Sequence, residues 1–334
     1  MTTTPLLHLN HVVKTFGQDK QGFLHQSLQR LGLVQPTAVT KAVNDVDLVI
    51  AKGEVVGLVG ESGCGKSTLG RMAAGIIKPS SGQVLIHGQD LHRLQGEALS
   101  KAKLTVQMVF QDPYASLNPR MRVQDIVGES AYIHGLVSKK ERDHYVAEQL
   151  ERAGLNASFR FRFPHQFSGG QRQRIGIARA LAVQPEMLVC DEAVAALDVS
   201  IQAQILNLFM DLREQLSLTY LFISHDLGVV EHFADRVVIM YLGRVIESAP
   251  VEEIYKRANH PYTQALLAEM PKMHERKKIF TALKGEIPSP LNPPTGCHFH
   301  PRCSRATDRC RQEAPVLKEI AIKHFSACHL NDGL

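Results

Sequence analysis

The apolar positions of this chain gather in short runs that end abruptly in polar or glycine-rich residues. Four such runs, rich in Val, Leu, Ile, Met and Phe, occupy residues 55–59, 106–110, 187–190 and 219–223. Short apolar runs bounded by polar residues are typical of buried core strands. Each run is followed by residues suited to binding or catalysis, so the ends of the predicted strands are where we look for chemistry.

The rest of the chain divides into regions with different predicted structure. Residues 6–16 and 43–59 alternate apolar and polar positions or run apolar, as strands do. Residues 113–180 lack the strand pattern and are predicted to be mostly helical, and residues 181–250 return to alternating strands and helices. Beyond about residue 260 Pro and Cys become concentrated, which marks an accessory region. The pattern predicts an α/β fold.

A glycine-rich loop follows the first apolar run and precedes a segment with helical character. Its residues are Gly60, Glu61, Ser62, Gly63, Cys64, Gly65, Lys66, Ser67 and Thr68. In this strand–loop–helix context, glycine lets backbone N–H groups turn toward phosphate oxygens, and the helix start adds positive potential. We expect Lys66 to reach the β- and γ-phosphates, Ser67 to bind Mg²⁺ and Thr68 to contact the α-phosphate side. The alternative is a glycine-rich turn that matches the pattern by chance.

Two adjacent carboxylates end the third apolar run. Asp191 is predicted to orient Mg²⁺, and Glu192 is predicted to polarise the attacking water as general base. A helix cap or an acidic surface pair is the alternative interpretation.

Two further strand ends carry polar side chains. Gln111 follows the second run and could contact Mg²⁺ or the attacking water, although a loop residue without a role is an equal alternative. His225 follows the fourth run and could hydrogen-bond the γ-phosphate, although a histidine in such a place is often structural.

A second predicted helix start lies at Ser168, Gly169, Gly170 and Gln171, before the basic stretch 172–181. Free N–H groups at a helix start can bind phosphate. One nucleotide cannot bind at two distant phosphate-binding sites, so this pattern suggests that a partner chain supplies one of them. A plain helix cap is the alternative.

Taken in this order, these motifs resemble the ATP-binding subunits of ABC transporters. The resemblance implies a RecA-like core with an antiparallel β-subdomain in residues 1–258, a helical subdomain at about 113–180 and a small Cys-rich C-terminal domain in 259–334. In that family two subunits enclose two ATP molecules head to tail. The residues implied to act on this chain's ATP are Lys66, Ser67, Gln111, Asp191, Glu192 and His225. The residues implied to act on the partner's ATP are Ser168, Gly169, Gly170 and Gln171.

The resemblance also assigns roles to two less specific positions. Asp198 matches the loop that crosses the dimer interface, and Phe16 falls where the family stacks an aromatic ring on adenine, although a lone aromatic is often a core residue. One departure concerns Ala193 and Ala195, because the family usually has Pro and then Ser or Thr after the Asp-Glu pair. Loss of the proline is expected to loosen the turn beside Glu192.

Four segments narrow the resemblance to dipeptide and oligopeptide importers, close to the F-type subunit of dipeptide permeases. They are residues 112–119, 167–174, 260–267 and 287–297, and residues 17–41 resemble an insertion of this type. The resemblance implies a second ATPase subunit of D type, two transmembrane permease subunits and an extracytoplasmic peptide-binding protein. The alternatives are the same role in nickel or glutathione import, a soluble ABC ATPase of DNA repair or translation, or a regulatory subunit without turnover.

Composition and charge limit where this protein is expected to lie and what it is expected to bind. The chain has 334 residues and a formal net charge of +5, which suits an anionic membrane surface and gives no argument for nucleic acid. No apolar run reaches the length of a membrane span, and the N-terminus lacks a signal pattern. We therefore expect a peripheral protein on the cytoplasmic face of the inner membrane.

Six cysteines occur, and four of them lie close together near the C-terminus. These four are Cys297, Cys303, Cys310 and Cys328, separated by five, six and seventeen residues. Because a cytoplasmic protein rarely keeps disulfides, four thiolates in a loop-rich tail suggest a metal centre. The spacing leaves zinc, an iron–sulfur cluster and unligated thiols open, and the family resemblance implies a [4Fe–4S] cluster. Flanking histidines (His298, His300 and His329) could replace a ligand. Cys64 and Cys190 are interpreted as packing residues.

Overall fold

The computed structural model describes residues 4–17, 39–270 and 285–332. Most of the predicted insertion at 17–41 lies at residues 18–38, outside the described residues. Within the described part the strands form a four-stranded antiparallel sheet, in the order β2-β1-β4-β5, and an eight-stranded mixed sheet, in the order β11-β12-β10-β9-β3-β8-β7-β6. The strands are β1 (Leu7–Phe16), β2 (Thr40–Ile50), β3 (Val55–Val59), β4 (Ser81–Ile86), β5 (Gln89–Asp90), β6 (Val106–Val109), β7 (Met187–Asp191), β8 (Thr219–Ser224), β9 (Arg236–Tyr241), β10 (Arg244–Pro250), β11 (Lys318–Ala321) and β12 (His324–Ser326).

Helices cover the large sheet and fill the segment between β6 and β7. They are α1 (Lys66–Ala73), α2 (Gly96–Thr105), α3 (Pro113–Ser116), α4 (Val123–Ile133), α5 (Arg142–Arg152), α6 (Gly169–Leu181), α7 (Val199–Leu216), α8 (Leu227–Phe233), α9 (Val251–Arg257), α10 (Pro261–Glu269) and α11 (Asp308–Gln312). Among the described residues, no helix combines the length and apolar character that a membrane span requires.

The central strands are buried on both faces because successive side chains of a strand point to opposite sides. In β3, Val55 and Val59 belong to one hydrophobic core, whereas Val56 and Leu58 belong to the other. Strands β9, β3, β8, β7 and β6 run parallel to one another. A parallel sheet between two cores explains why these strands are continuous apolar runs in the sequence.

Residues 113–181 contain helices and short 3₁₀ turns and no strand, and they have a hydrophobic core of their own. This core is built from α4, α5 and α6 with the turns between them, and includes Val127, Leu150, Phe167 and Ala178. This segment lies between β6 and β7 in the chain, and β6 is an edge strand, so the helical region is attached at that edge of the large sheet.

The C-terminal residues extend the large sheet instead of forming the separate Cys-rich domain that we predicted. Strand β12 pairs antiparallel with β10, with Glu247 opposite Ser326. Phe299 is buried in the main core, and Cys297 and Cys303 pack against it. A strand of three residues is too short to be stable alone, so β12 depends on the backbone groups of β10.

Candidate nucleotide-binding site

The four predicted strand ends meet at one edge of the large sheet. In the parallel register, Val59 of β3 lies beside Ser224 of β8, and Asp191 of β7 lies beside Ile223. Val109 of β6 in turn pairs with Cys190. The segments that follow these strands therefore emerge side by side, at the carboxyl edge where ligands bind in open α/β sheets.

The phosphate loop is held in a tight turn that only glycine allows at its end. Gly65 has a φ of +107°, and a Cβ there would lie 2.1 Å from the carbonyl oxygen of Ala42. Helix α1 begins at the next residue, and no side chain in the described part of the protein caps its N-terminus. Its first N–H groups therefore remain available to an anion.

Lys66 is buried, and its ammonium group is oriented by the loop itself. Its Nζ donates hydrogen bonds to the carbonyl oxygens of Gly60, at 2.7 Å, and Glu61, at 3.0 Å. These bonds hold the positive charge inside the loop, where phosphate oxygens would lie.

Ser67 and Asp191 form the oxygen pair expected of a magnesium site. The Ser67 Oγ donates a hydrogen bond of 2.7 Å to Asp191 Oδ1. Burial raises the pKa of the Asp191 carboxyl, and the hydrogen bond from Ser67 opposes that rise. A hydroxyl and a carboxylate oxygen are ligands that Mg²⁺ accepts, so the residues present fit this ion.

The three predicted catalytic side chains form one cluster around Glu192. Gln111 Nε2 donates a hydrogen bond of 2.8 Å to Glu192 Oε2, and His225 Nδ1 lies 3.5 Å from Glu192 Oε1. Glu192 itself has a φ of +48°, a left-handed conformation that costs free energy for a residue with a side chain. The following turn is closed by a hydrogen bond from the Ala195 N–H to the Glu192 carbonyl, at 3.1 Å.

The Ser168–Gln171 segment starts helix α6 and is capped by its own side chains. Ser168 Oγ accepts a hydrogen bond from the Gln171 N–H, and Gln171 Oε1 accepts one from the Ser168 N–H. Gly170 allows close approach of the next helix, because a Cβ there would lie 2.6 Å from Ile201 Cγ2. In the described residues the polar groups of this start bond to each other and not to the phosphate loop.

Asp198 and Phe16 lie on the surface at the ends of other elements. Asp198 is the exposed N-cap residue of α7, and its side chain accepts no capping hydrogen bond. Phe16 ends β1, is 43 % exposed and has the Lys14 ammonium 5.3 Å from its ring centroid. Its pairing partner, Thr40, lies two residues before Ala42, which contacts Gly65.

Comparison with known proteins agrees with this geometry. Residues 43–195 match the ABC transporter family, and residues 246–310 match the C-terminal region of oligopeptide and dipeptide transporters. The chain is 52 % identical to the oligopeptide transport ATP-binding protein AppF of Bacillus subtilis, over 90 % of this chain and 93 % of that protein. It belongs to the ATP-binding proteins of peptide ABC transporters.

Further comparisons support this assignment. The dipeptide transport ATP-binding protein DppF of Haemophilus influenzae is 47 % identical, over 89 % of this chain and 91 % of that protein. Among solved structures, the ATP-binding cassette MJ0796, a dimer in a post-hydrolysis state with ADP and Pi, is 29 % identical with a TM-score of 0.62. The match covers 73 % of this chain and 98 % of the MJ0796 chain. The ABC ATPase fold and the family resemblance predicted from the sequence are confirmed.

The iron–sulfur prediction for this peptide ABC ATPase is wrong. The four C-terminal cysteines line one small cavity of about 10 Å³, no larger than one water molecule needs. No group of three or more His, Cys, Asp or Glu side chains in the described residues could hold a metal ion, and all six cysteines are free thiols. The names of the relatives mention only ATP binding and transport. Neither the cluster nor zinc is supported.

Physical packing accounts for the cysteines and their histidine neighbours. Burial raises the pKa of Cys297 to about 11, so its thiol keeps its proton. His300 and His329 hydrogen-bond the backbone carbonyls of Cys297 and Glu313, at 3.0 and 2.9 Å. The spacing along the sequence therefore indicated proximity correctly, but proximity alone did not create a metal site. Cys64 and Cys190 are also buried, and burial raises the pKa of both thiols.

Sequence reasoning missed two residues that touch the phosphate loop of this ABC ATPase. Tyr262 Oη accepts a hydrogen bond of 3.0 Å from the Glu61 N–H, and Arg302 makes an ion pair with the Glu61 carboxylate. Tyr262 lies inside a motif that pointed to the peptide-importer branch, whereas no pattern in the sequence singles out Arg302.

Proposed function

We propose that this ABC ATPase binds and hydrolyses ATP to power the import of oligopeptides or dipeptides through a membrane transporter. One observation carries the proposal. The Glu192 cluster with Gln111 and His225 lies at the same sheet edge as Lys66 and the Ser67–Asp191 pair. The match of residues 246–310 to the C-terminal region of peptide transporters favours this role over a soluble ABC ATPase.

The site supports a division of work among its side chains. Lys66 and the N–H groups of α1 bind the β- and γ-phosphates, and Thr68 contacts the α-phosphate side. A magnesium ion held by Ser67 and Asp191 would neutralise charge that develops on the phosphates. Mutual hydrogen bonding orients the remaining polar side chains before the nucleotide arrives.

Glu192 is proposed as the general base that takes a proton from the attacking water. Gln111 hydrogen-bonds one oxygen of the Glu192 carboxylate, and His225 lies 3.5 Å from the other. The His225 side chain is 53 % exposed, so it would be free to reach the γ-phosphate. Because a positioned base near the reacting water accelerates hydrolysis, the left-handed backbone at Glu192 is consistent with a strained functional residue.

We propose that a second ATPase subunit of D type completes the site. The α6 start of one chain, at Ser168–Gln171, would contact the ATP bound by the other, and Asp198 would cross between them. Phe16 would stack on adenine. The support is that Ser168, Asp198 and Phe16 are all exposed, while the hydrogen bonds of the α6 start do not reach this chain's own phosphate loop.

The assembly would lie on the cytoplasmic face of the inner membrane. Two permease subunits would form the path for the peptide, and an extracytoplasmic binding protein would deliver it. Within this chain, residues 1–258 would bind and hydrolyse ATP, with 113–180 as the helical subdomain, and residues 259–334 would form an accessory region. The support is the separate core of the helical segment and the C-terminal match to peptide transporters.

Uptake of a labelled dipeptide tests the proposal directly. A strain lacking the gene is complemented with wild type, Glu192→Gln or Glu186→Gln. Glu186 is a matched control because its carboxylate lies at the opposite end of β7, paired with Lys52 and His87. We expect Glu192→Gln to lower ATP turnover at least about 100-fold with nucleotide binding retained, and to abolish uptake. Glu186→Gln should transport normally.

Two results would count against the proposal. Full turnover by Glu192→Gln in the assembled transporter would remove Glu192 from the role of base. Dipeptide uptake that does not depend on the gene would point to another cargo, and longer peptides, glutathione and nickel would be assayed in the same strains.

A further inference from the structure

An arginine of the C-terminal region contacts the phosphate loop. Arg302 Nη1 donates to Glu61 Oε2 at 2.7 Å, and Arg302 Nη2 donates to Glu61 Oε1 at 3.0 Å. The Arg302 side chain is 4 % exposed and that of Glu61 is 21 % exposed. Two parallel hydrogen bonds between a guanidinium and a carboxylate fix orientation as well as distance. The pair therefore restrains Glu61 in the turn of the loop.

A tyrosine holds the backbone of the same loop residue. The Glu61 N–H donates a hydrogen bond of 3.0 Å to Tyr262 Oη, and the Tyr262 ring is fully buried. This ring packs against Tyr241 and Phe299, with centroids 4.7 and 5.3 Å away. Because three rings in contact leave little freedom, the hydroxyl that meets Glu61 has a fixed position.

Glu61 passes these restraints to the phosphate-binding lysine. Its carbonyl oxygen accepts a hydrogen bond of 3.0 Å from Lys66 Nζ. One residue therefore binds Arg302 with its side chain, Tyr262 with its N–H and Lys66 with its carbonyl. In a loop that contains three glycines, such restraints decide which conformation the backbone keeps.

The arrangement costs Arg302 one of its own hydrogen bonds. Its Nε is buried and has no hydrogen-bond partner in the described residues. A buried donor without a partner is unfavourable and calls for an explanation. The explanation here is that both terminal nitrogens are directed to Glu61.

We propose that Arg302 and Tyr262 are positioning residues that hold the phosphate loop in its ATP-binding conformation. The inference rests on the proposed function, because it takes ATP as the ligand of the loop. It gives the C-terminal region a role at the nucleotide site, through Glu61 and Lys66. Loss of either contact frees the loop, which must then be ordered when the nucleotide binds, so affinity for ATP falls while the reacting groups stay intact.

Nucleotide binding by the full-length chain tests this inference. The probe is a fluorescent non-hydrolysable ATP analogue with Mg²⁺, titrated against wild type, Arg302→Gln, Arg302→Lys and Tyr262→Phe. We expect Arg302→Gln to raise the dissociation constant about tenfold and Tyr262→Phe about threefold. Arg302→Lys keeps the charge but loses the paired geometry, so its dissociation constant should fall between those of wild type and Arg302→Gln.

Arg309→Gln is the matched control. Arg309 also binds two carboxylates, those of Glu313 and Asp332, at 2.8 and 2.6 Å, within the same C-terminal region. The ion pairs of Arg309 do not include the phosphate loop, so the nucleotide affinity of Arg309→Gln should equal that of wild type. In the assembled transporter, Arg302→Gln should raise the KM for ATP about tenfold with kcat changed less than about twofold.

Each outcome separates positioning from mere stability. If Arg302→Gln lowers the melting temperature but leaves the dissociation constant of the folded fraction unchanged, the pair is only structural and the inference is overturned. Should Arg302→Gln fail to fold, Tyr262→Phe decides alone, because it removes a single oxygen and keeps the ring. If wild type itself binds no analogue, the proposed ATPase function fails, which is a distinct result from equal binding by wild type and variants.

Discussion

Helices α1 and α6 both begin in glycine-containing sequences that predict contact with phosphate, yet they differ in what satisfies their first N–H groups. Among the described residues no side chain caps α1, which begins directly after Gly65 of the phosphate loop. Helix α6 is capped by Ser168 and Gln171, which bond to each other's backbone N–H groups. An uncapped start keeps all its first donors for a ligand, whereas the cap of α6 already uses the Gln171 N–H.

A capped helix start can still have a free hydrogen-bond donor. Ser168 Oγ accepts from the Gln171 N–H, so its own hydroxyl hydrogen remains free to donate. The cap holds this exposed hydroxyl in place without any contact to the phosphate loop of the same chain. Such a start could contact the ATP bound by a second subunit, as proposed above.

The largest expected effect comes from substituting the glycines at the two helix starts. Gly65→Ala places a Cβ 2.1 Å from the Ala42 oxygen at a φ of +107°, so the loop must change shape. Gly169→Ala meets only Leu197 Cδ2, at 3.7 Å, which is ordinary contact. We expect Gly65→Ala to weaken binding of an ATP analogue by the full-length chain at least about 100-fold, and Gly169→Ala to leave that binding unchanged.

If wild type and Gly65→Ala bind the ATP analogue equally well, the contrast between the two helix starts is wrong. The uncapped start of α1 would then not be the phosphate-binding site. Circular dichroism of both variants checks that each chain has folded.

A third helix start, which is also capped, has a cap that titrates. Helix α10 is capped by His260, whose Nδ1 accepts a hydrogen bond of 3.1 Å from the Tyr262 N–H. Burial lowers the pKa of His260 to about 4 from its ordinary 6.5. Above pH 6.5 both folded and unfolded chains carry a neutral ring. As the pH falls from 6.5 toward 4, the unfolded chain takes up a proton first, so the folded chain loses stability, by about 3 kcal/mol at most.

Denaturant unfolding between pH 7 and pH 5 measures this loss. His260→Asn keeps a capping oxygen that does not titrate, and we expect a shallower dependence of stability on pH than in wild type. The same slope in both proteins would assign the acid sensitivity to other groups.

The smallest expected effect comes from removing the α6 cap. Ser168→Ala should lower the free energy of unfolding by about 1 kcal/mol, since the Gln171 N–H loses its acceptor. It should also reduce ATP turnover in the assembled transporter while the chain alone binds nucleotide normally. Asn156→Ala is the control, because Asn156 caps a 3₁₀ turn of the same helical region through a 2.8 Å bond from Ser158 N–H.

A loss of turnover equal in Ser168→Ala and Asn156→Ala would mean that stability alone explains both. A loss confined to Ser168→Ala would sharpen the difference between the two helix starts.

The strands and the residues at their ends were predictable because the relevant signals are local. Apolar runs of the right length marked β3, β7 and β8, and parallel strands bring their carboxyl ends to one edge. Membership of the peptide ABC transporter family also followed from motifs, and the relatives confirm that membership. The cysteines show the limit of such reasoning. Their spacing suggested a metal centre and the family resemblance implied an iron–sulfur cluster, but the folded tail provides only a small cavity.

The sequence by itself determined the chemistry of the strand ends, since each motif depends on residues that are neighbours along the chain. Only the tertiary structure decided which helix start remains uncapped and that β12 completes the main sheet. It alone paired Arg302 with Glu61, which lies 241 positions earlier. The physical reason is that such contacts depend on sheet register and burial, and a change of one residue in register would point every side chain of a strand to the opposite face.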